Sequence, residues 1–336
     1  MDIMEWDRSD DGFMGQAWQV RERVEVASRV QPSSENLDEF AKQQRYDAPG
    51  ERKAAALALQ GGRVLGYAAA YFPDRDNTGL CWSEVLVAPE HQRQGVGSVL
   101  VGWLEDRARE ECRAVIVNEA VVPDGARVGH PGRAFAESRG YAVANVEIVR
   151  RVQLPVPEDV LDELGTSAQT AFGDRYEVSV HLNGVPLELQ ASLCVATNRL
   201  GLDAPTGDID YEEESLTPVD YQDYLAHEAD LGRTRLTALA VERDTGVVAA
   251  YTDIVVAAGD PDLAFQWGTL VLPEHRGHRL GAAVKVANLR ALSLVSPGRK
   301  AIITSNAENN PWMVQINQDL GFEIIEELLE LKKDLS

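Results

Sequence analysis

The chain has 336 residues, of which 44% are hydrophobic and 26% charged, and its formal net charge is −22. At about 150 residues per domain this length predicts two globular domains, each able to bury its own core. The acidic balance excludes the basic footprint of a nucleic-acid binder and speaks against anionic membrane surfaces.

In chain order, a short strand is expected at residues 4–7, then helical stretches over residues 15–30 and 35–46. Two strand-like runs, RKAAALALQ and RVLGYAAAYF, are joined by Gly61-Gly62, a hairpin signal. The turn DRDNTG leads into LCWSEVLVA, a strand that feeds a loop and a helix over residues 96–111. There Val96, Leu100, Trp103 and Leu104 recur at a helical period. AVIVNEAVV is read as a buried strand, GRAFAESRG as a short helix, and a last strand runs through Val149.

The stretch RRVQLPVPEDVLDEL, with its prolines and charges, marks a seam between residues 1–154 and 155–336. Beyond it come strand YEVSVHL, helix PLELQASLCVATNRL, an acidic segment and a helix near residues 221–231. RLTALAVER and VVAAYTDIVVA form a second hairpin around DTG, and LAFQWGTLVL leads into a second loop and a helix over residues 281–295. KAIITS, NPWMVQINQDLG and FEIIEELLELKKDL close the half as strand, helix and strand. The order β-α-α-β-β-β-α-β-α-β therefore occurs twice. Consecutive hairpins dominate over βαβ crossovers, which makes the class α+β: tandem domains, each a mixed, mostly antiparallel sheet flanked by helices.

One piece of that order is spelled twice. VLVAPEHQRQGVGSVLVGWL, residues 85–104, is echoed by TLVLPEHRGHRLGAAVKVANL, residues 269–289. A strand that opens through a short loop into a helix presents unpaired backbone N–H groups, which with the helix dipole bind anions. Gly95 and Gly97 allow close backbone approach, and Gln92, Arg93 and Gln94 offer further donors.

These residues carry a resemblance. VAPEHQRQGVG resembles the acetyl-CoA signature of the GNAT superfamily of N-acyltransferases, with Gln92, Gly95 and Gly97 filling the Gln/Arg-x-x-Gly-x-Gly/Ala pattern. The resemblance extends once over each half, so tandem GNAT-like domains are expected. It implies that backbone amides from Arg93 through Gln94, Gly95, Val96, Gly97 and Ser98 hold the coenzyme pyrophosphate, and that Leu86 and Val87 meet the pantetheine arm. In the second half it implies the same for Leu270 and Val271 and for Arg276, Gly277, His278, Arg279, Leu280, Gly281 and Ala282. That loop departs from the pattern, with Arg279 where the first glycine is expected and Gly277 two residues earlier. Degeneration to a structural pseudo-domain is the alternative for this half.

TSNAENNPWMVQINQDLGF resembles the family's last strand–helix region, where asparagines follow the strand; Asn306 and Asn310 are the binding candidates, with Asn309 beside them. Met313, Ile316 and Leu320 are expected to form the buried stripe of that helix. The tandem arrangement resembles two-domain acetyltransferases of the mycothiol synthase type, whose C-terminal half performs the transfer. That resemblance, together with the asparagine cluster and the acidic segment, inclines the assignment of chemistry to the C-terminal half, although the intact glycine loop lies in the other.

Acetyl transfer to an amine requires loss of the ammonium proton, polarisation of the carbonyl and protonation of the thiolate, with no metal and no covalent enzyme intermediate. The base candidate is Glu84, on the strand before the loop, provided strand alternation turns it toward the cleft. Asn306 is the catalytic candidate in the second half, where Gln266, Trp267 and Thr269 leave the equivalent strand without a carboxylate. The tyrosine the family uses toward the thiolate is missing: Ala136 stands in its place before Tyr141, and Asn317 before Phe322. His91 and His275 are expected on the exposed approach to their loops.

Residues 203–230 hold no Lys or Arg and interleave Tyr211, Tyr221 and Tyr224, forming either a solvated face or a flap that attracts a cation. Cys81, Cys112 and Cys194 fit neither a disulfide framework nor a metal site, and the acidic start lacks a signal-peptide pattern, so a cytoplasmic protein is expected. The leading expectation is an acetyl-CoA-dependent N-acetyltransferase acting on a primary amine of a small cationic molecule, its halves packed as an intramolecular pseudo-dimer. A coenzyme A-binding regulatory or scaffold protein without transferase activity is the alternative. A protein-lysine acetyltransferase is less favoured, since a protein acceptor needs an open groove.

Overall fold

The computed structural model describes residues 1–335. Its first unit begins with strand β1 (Asp2–Glu5), helices α1 (Met14–Ser28) and α2 (Leu37–Arg45), and the hairpin β2 (Glu51–Gln60) and β3 (Arg63–Pro73). Strand β4 (Leu80–Val87), helix α3 (Val96–Glu110), strand β5 (Val115–Pro123) and helix α4 (Pro131–Glu137) follow, and β6 (Ala142–Gln153) leads out of the unit. Gly61 and Gly62 both take positive φ at the β2–β3 turn, as the hairpin requires. Helix α2 starts at a reciprocal cap in which Asn36 accepts from the Glu39 amide and Glu39 accepts from that of Asn36. On one face of the sheet α1 and α2 bury Trp6, Met14, Val20, Phe40 and Tyr67. On the other, α3 buries Leu100 and Leu104, both fully enclosed, at about 1.5–3 kcal/mol each.

The second unit contains α5 (Glu158–Phe172), β7 (Tyr176–Leu182), α6 (Leu187–Asn198), the short α7 (Leu200–Asp203), α8 (Pro218–Asp230) and the hairpin β8 (Thr234–Glu242) and β9 (Val248–Val256). Then come β10 (Leu263–Val271), α9 (Leu280–Val295), β11 (Ala301–Ala307) and α10 (Pro311–Asp319), before the final strand β12 (Glu323–Asp334). Helix α5 occupies the stretch that the sequence assigns to the seam. Pro157 is its N-cap, and Leu161, Ala168 and Phe172 are its buried stripe, so the prolines that suggest a linker instead start a helix.

The compact units are not the contiguous halves 1–154 and 155–336. The first joins Met1–Glu147 to Thr206–Tyr211 and to the chain from Ile325 onward, while the second joins Ile148–Pro205 to Glu212–Ile324. Their strand orders are β1-β2-β3-β4-β5-β12 and β6-β11-β10-β9-β8-β7. Each half thus sends its last strand to close the other unit's sheet. Strand β12 runs antiparallel to β5, from Glu326 opposite Pro123 to Asp334 opposite Val115. Leu329, Leu331 and Leu335 enter the core beneath α3.

The acidic segment is divided likewise. In the first unit Ile209 packs with Leu80 and Val117, Tyr211 stacks on Trp82 with ring centroids 6.0 Å apart, and the Asp208 amide donates to Ala144 O at 2.9 Å. Gly207 permits this docking: its φ is +61°, and a Cβ there would run into the Ala144 carbonyl. Gly207→Ala is expected to release the segment, the left-handed backbone alone costing about 1–2 kcal/mol. Faster hydrogen exchange at the Asp208 amide would report it; an unchanged rate would contradict the account.

Candidate functional site

Strands β4 and β5 run parallel from Leu80 opposite Val115 to Ser83 opposite Asn118, and the register ends there. Side chains pin the branch point: Ser83 Oγ donates to Val117 O at 2.8 Å and accepts from Asn118 Nδ2 at 3.0 Å. The first residues past it, one on each arm, are Glu84 and Glu119. Both line a cavity of about 680 Å³ on the α1–α2 side, with Arg21, Lys53, Tyr71 and Trp82 among its walls. The Glu84 carboxylate lies in this cavity, 3.6 Å from Arg21 Nη1. Burial raises its proton affinity, and Arg21 opposes the rise.

At the end of β4 a 3-10 turn over Pro89–His91 leads into the loop, and α3 begins at Val96 with Gly95 as a left-handed cap (φ 87°) and no side-chain cap bond. The Val99 amide is bonded to Gly95 O, so the first-turn amides of Val96, Gly97 and Ser98 precede the helical ladder. Gln92 Nε2 donates to Val87 O at 3.2 Å and Gln94 Nε2 to Glu90 O at 2.9 Å. These two side chains brace the loop, which leaves its backbone groups and the exposed Arg93 as the donors available to an anion. Gly97 is half-buried, and a Cβ there would lie 3.4 Å from Phe135 Cζ and 3.8 Å from Val87 Cγ2. A small residue fits between these walls; a large one fills the gap. Exposed Gly95, an uncapped helix start and parted strands suit the pyrophosphate and pantetheine of coenzyme A.

The second unit repeats the backbone with the glycine moved. Arg279 (φ 55°) takes the left-handed cap of Gly95, and Gly277 (φ 86°) takes the position of Arg93 (φ 61°). Arg276 Nε donates to Val271 O at 3.2 Å, as Gln92 does to Val87. The surroundings differ. Leu280, Gly281 and Ala282 are buried, and a Cβ on Gly281 would meet Ile316 at 3.2 Å and Met313 at 3.8 Å. The parallel register of β10 and β11 ends at Phe265 opposite Ile303, and the next residues, Gln266 and Thr304, are neutral and buried. Near the bulge in β10, a Cβ on Gly268 would lie 3.1 Å from both Leu200 and the Tyr251 hydroxyl. Leu270 is buried, whereas Leu86, Val87 and Val271 are half-buried.

Asn306 lies in the second unit, apart from the Glu84 cavity. Its Oδ1 accepts from Arg150 Nη1 at 2.8 Å and from Asn317 Nδ2 at 3.0 Å, and Asn317 Oδ1 accepts from Lys285 Nζ at 3.0 Å. Burial, then Arg150, pushes the Lys285 ammonium down to about 7. Asn310 caps α10 by accepting from the Met313 amide at 3.2 Å. Met313 and Ile316 are half-buried and Leu320 buried, as a stripe requires. His275 is buried against Tyr176, whose hydroxyl lies 2.9 Å from its Nδ1, which corrects the exposed position expected for it; His91 is half-buried.

Sequence reasoning missed Glu119, hidden in a run read only as a buried strand. The signal available was a lone carboxylate in AVIVNEAVV, on the arm facing Glu84.

A mixed sheet whose middle strands part beside an uncapped helix start is the architecture of GNAT acetyltransferases. The acetyltransferase (GNAT) family model matches residues 18–141. Residues 18–141 are therefore a GNAT-family acetyltransferase domain, and the whole chain has the tandem GNAT fold. A tandem GNAT protein from the clavulanic acid biosynthesis pathway is 23% identical with TM-score 0.77, covering 100% of this chain and 98% of that one. A GCN5-related N-acetyltransferase from Sphaerobacter thermophilus is 15% identical with TM-score 0.65, covering 99% and 95%. The glucosamine N-acetyltransferase region of a fungal multi-domain GH3 beta-N-acetylglucosaminidase is 14% identical with TM-score 0.65, covering 98% of this chain and 38% of that one. At these identities the likeness concerns the fold. No curated protein sequence matches the chain.

Proposed function

We propose that the chain is an acetyl-CoA-dependent N-acetyltransferase for a primary amine of a small cationic molecule, and that the first unit performs the transfer. The observation that carries this reading is the pair of carboxylates, Glu84 and Glu119, one on each arm of parted strands beside an open glycine loop. The cavity they enter also receives Glu25, Glu35 and Glu51, against Arg21, Arg29 and Lys53. An excess of carboxylates suits an ammonium, and among the described residues no group of His, Cys, Asp or Glu is placed to hold a metal. Acetyl-CoA supplies the activated acetyl group: the amine nitrogen bonds the carbonyl carbon, the C–S bond breaks, and the thiol leaves with the second proton the amine sheds. Glu84, tied to Arg21, holds the acceptor ammonium by charge.

The second unit, with the first turn of α9 buried and neutral groups past its branch point, is read as a supporting domain. That observation favours the pseudo-domain alternative for this unit alone. A cytoplasmic location belongs to the same reading; among the described residues no helix is long and apolar enough to cross a membrane.

Incubation with acetyl-CoA and a panel of amines, followed by thiol release, tests the activity. Calorimetry tests the site: Gly97→Ala should bind acetyl-CoA at the first unit nearly as the parent does, whereas Gly97→Trp should lose that binding. Full affinity in Gly97→Trp would remove the loop from the account. Binding without thiol release from any amine would favour the scaffold reading.

A further inference from the structure

The two carboxylates past the branch point are held differently. Glu84 has Arg21 at 3.6 Å, and Arg21 is tied in turn to Glu35 Oε2 at 2.8 Å. The Glu119 side chain, exposed to solvent, makes no hydrogen bond or ion pair among the described residues. Opposite it in register on β12 stands Glu330, buried, and Glu147 on β6 and Glu84 on β4 also act on it. The cation that acts on it, Arg29, is itself bound to Glu326 at 2.9 Å.

We propose that Glu119 takes the proton from the acceptor ammonium, and that Glu330, brought by the exchanged terminal strand, sets the pH at which it can do so. This rests on the acetyltransferase reading of the first unit. The step is R–NH₃⁺ plus Glu119 carboxylate giving R–NH₂ plus Glu119 carboxylic acid, which then returns its proton to water through the open cavity. A carboxylate paired with an arginine is a weak base; one facing other carboxylates is a stronger one. The Glu119 side chain is open to solvent at the cavity, yet the surrounding walls, then Glu330, Glu147 and Glu84, push it up to about 7, where a general base serves best at neutral pH. Glu330 is itself raised by burial and by Glu147, against a hydrogen bond from Asn145. Because the base works deprotonated, turnover should climb with pH through the Glu119 titration.

The test uses the full chain, with spermidine as the cationic probe and acetyl-CoA saturating. In Glu119→Gln, kcat near neutral pH should fall by about 100-fold or more, the acid limb of the profile should vanish, and acetyl-CoA affinity by calorimetry should stay. In Glu330→Gln, kcat at high pH should persist while the acid limb moves to lower pH. Carboxylate ¹³C NMR, assigned with Glu119→Gln, should show Glu119 titrating near neutrality in the parent and lower in Glu330→Gln. A parent-like pH profile in Glu119→Gln, or a Glu119 midpoint in the ordinary carboxylate range, overturns the proposal. An active parent with an indifferent Glu119→Gln defeats this inference alone. A parent that binds acetyl-CoA but transfers to no amine defeats the acetyltransferase reading with it.

Discussion

Ending the chain after Ile324 should unfold the first unit and spare the second. Strand β12 supplies the closing register against β5, from Glu326 to Asp334, and Leu329 and Leu331 are almost wholly enclosed. Truncating a single buried leucine to alanine costs about 2–5 kcal/mol, and whole domains are stable by only about 5–15 kcal/mol. Losing several such side chains with their ladder exceeds that margin. Hydrogen exchange provides the measurement: amides of β2 to β5 should lose protection while those of β8 to β11 keep it. Acetyl-CoA binding at the Gly97 loop should vanish with the first set. Retained protection in β5 would mean that β12 decorates a unit able to close without it.

That strand exchange was not legible in the residues. Alternation in FEIIEELLELKKDL marks which side is apolar, but a strand carries no local mark of its partner, and Leu329 and Leu331 would satisfy either sheet. The loop was legible, because glycine before an uncapped helix is a local backbone requirement that chemistry imposes on neighbouring residues. Even there the second copy misleads: Arg279 occupies a left-handed position at φ 55°, so the conformation outlasted the glycine that usually marks it. Helix α5 was obscured because prolines read as linker residues also begin helices. Glu119 was obscured for another reason. Its role depends on where the β4–β5 register stops and on which strand lies beside β5, and both are long-range facts. Asn306 poses a different difficulty: the sequence shows an asparagine cluster, but not the network of Arg150, Asn317 and Lys285 that the fold builds around it.

Glu84→Gln and Asn306→Ala should therefore separate chemistry from support. At saturating acetyl-CoA, Glu84→Gln removes one of the charges facing the acceptor and leaves Arg21 paired with Glu35 alone. The KM for a cationic amine should rise about tenfold, equivalent to about 1.4 kcal/mol of lost binding, with a smaller change in kcat because the proton-accepting arm is intact. Asn306→Ala removes the oxygen that accepts from Arg150 and Asn317, stranding donors in a buried site. Leaving such groups unsatisfied costs about 1–3 kcal/mol, more when one is charged, so Tm should drop while thiol release per folded molecule is unchanged. If turnover instead collapses in Asn306→Ala and Glu84→Gln behaves as the parent, the transfer belongs to the second unit. In that case the buried Lys285, pushed down to about 7 beside Asn317, becomes the group to examine for proton transfer there.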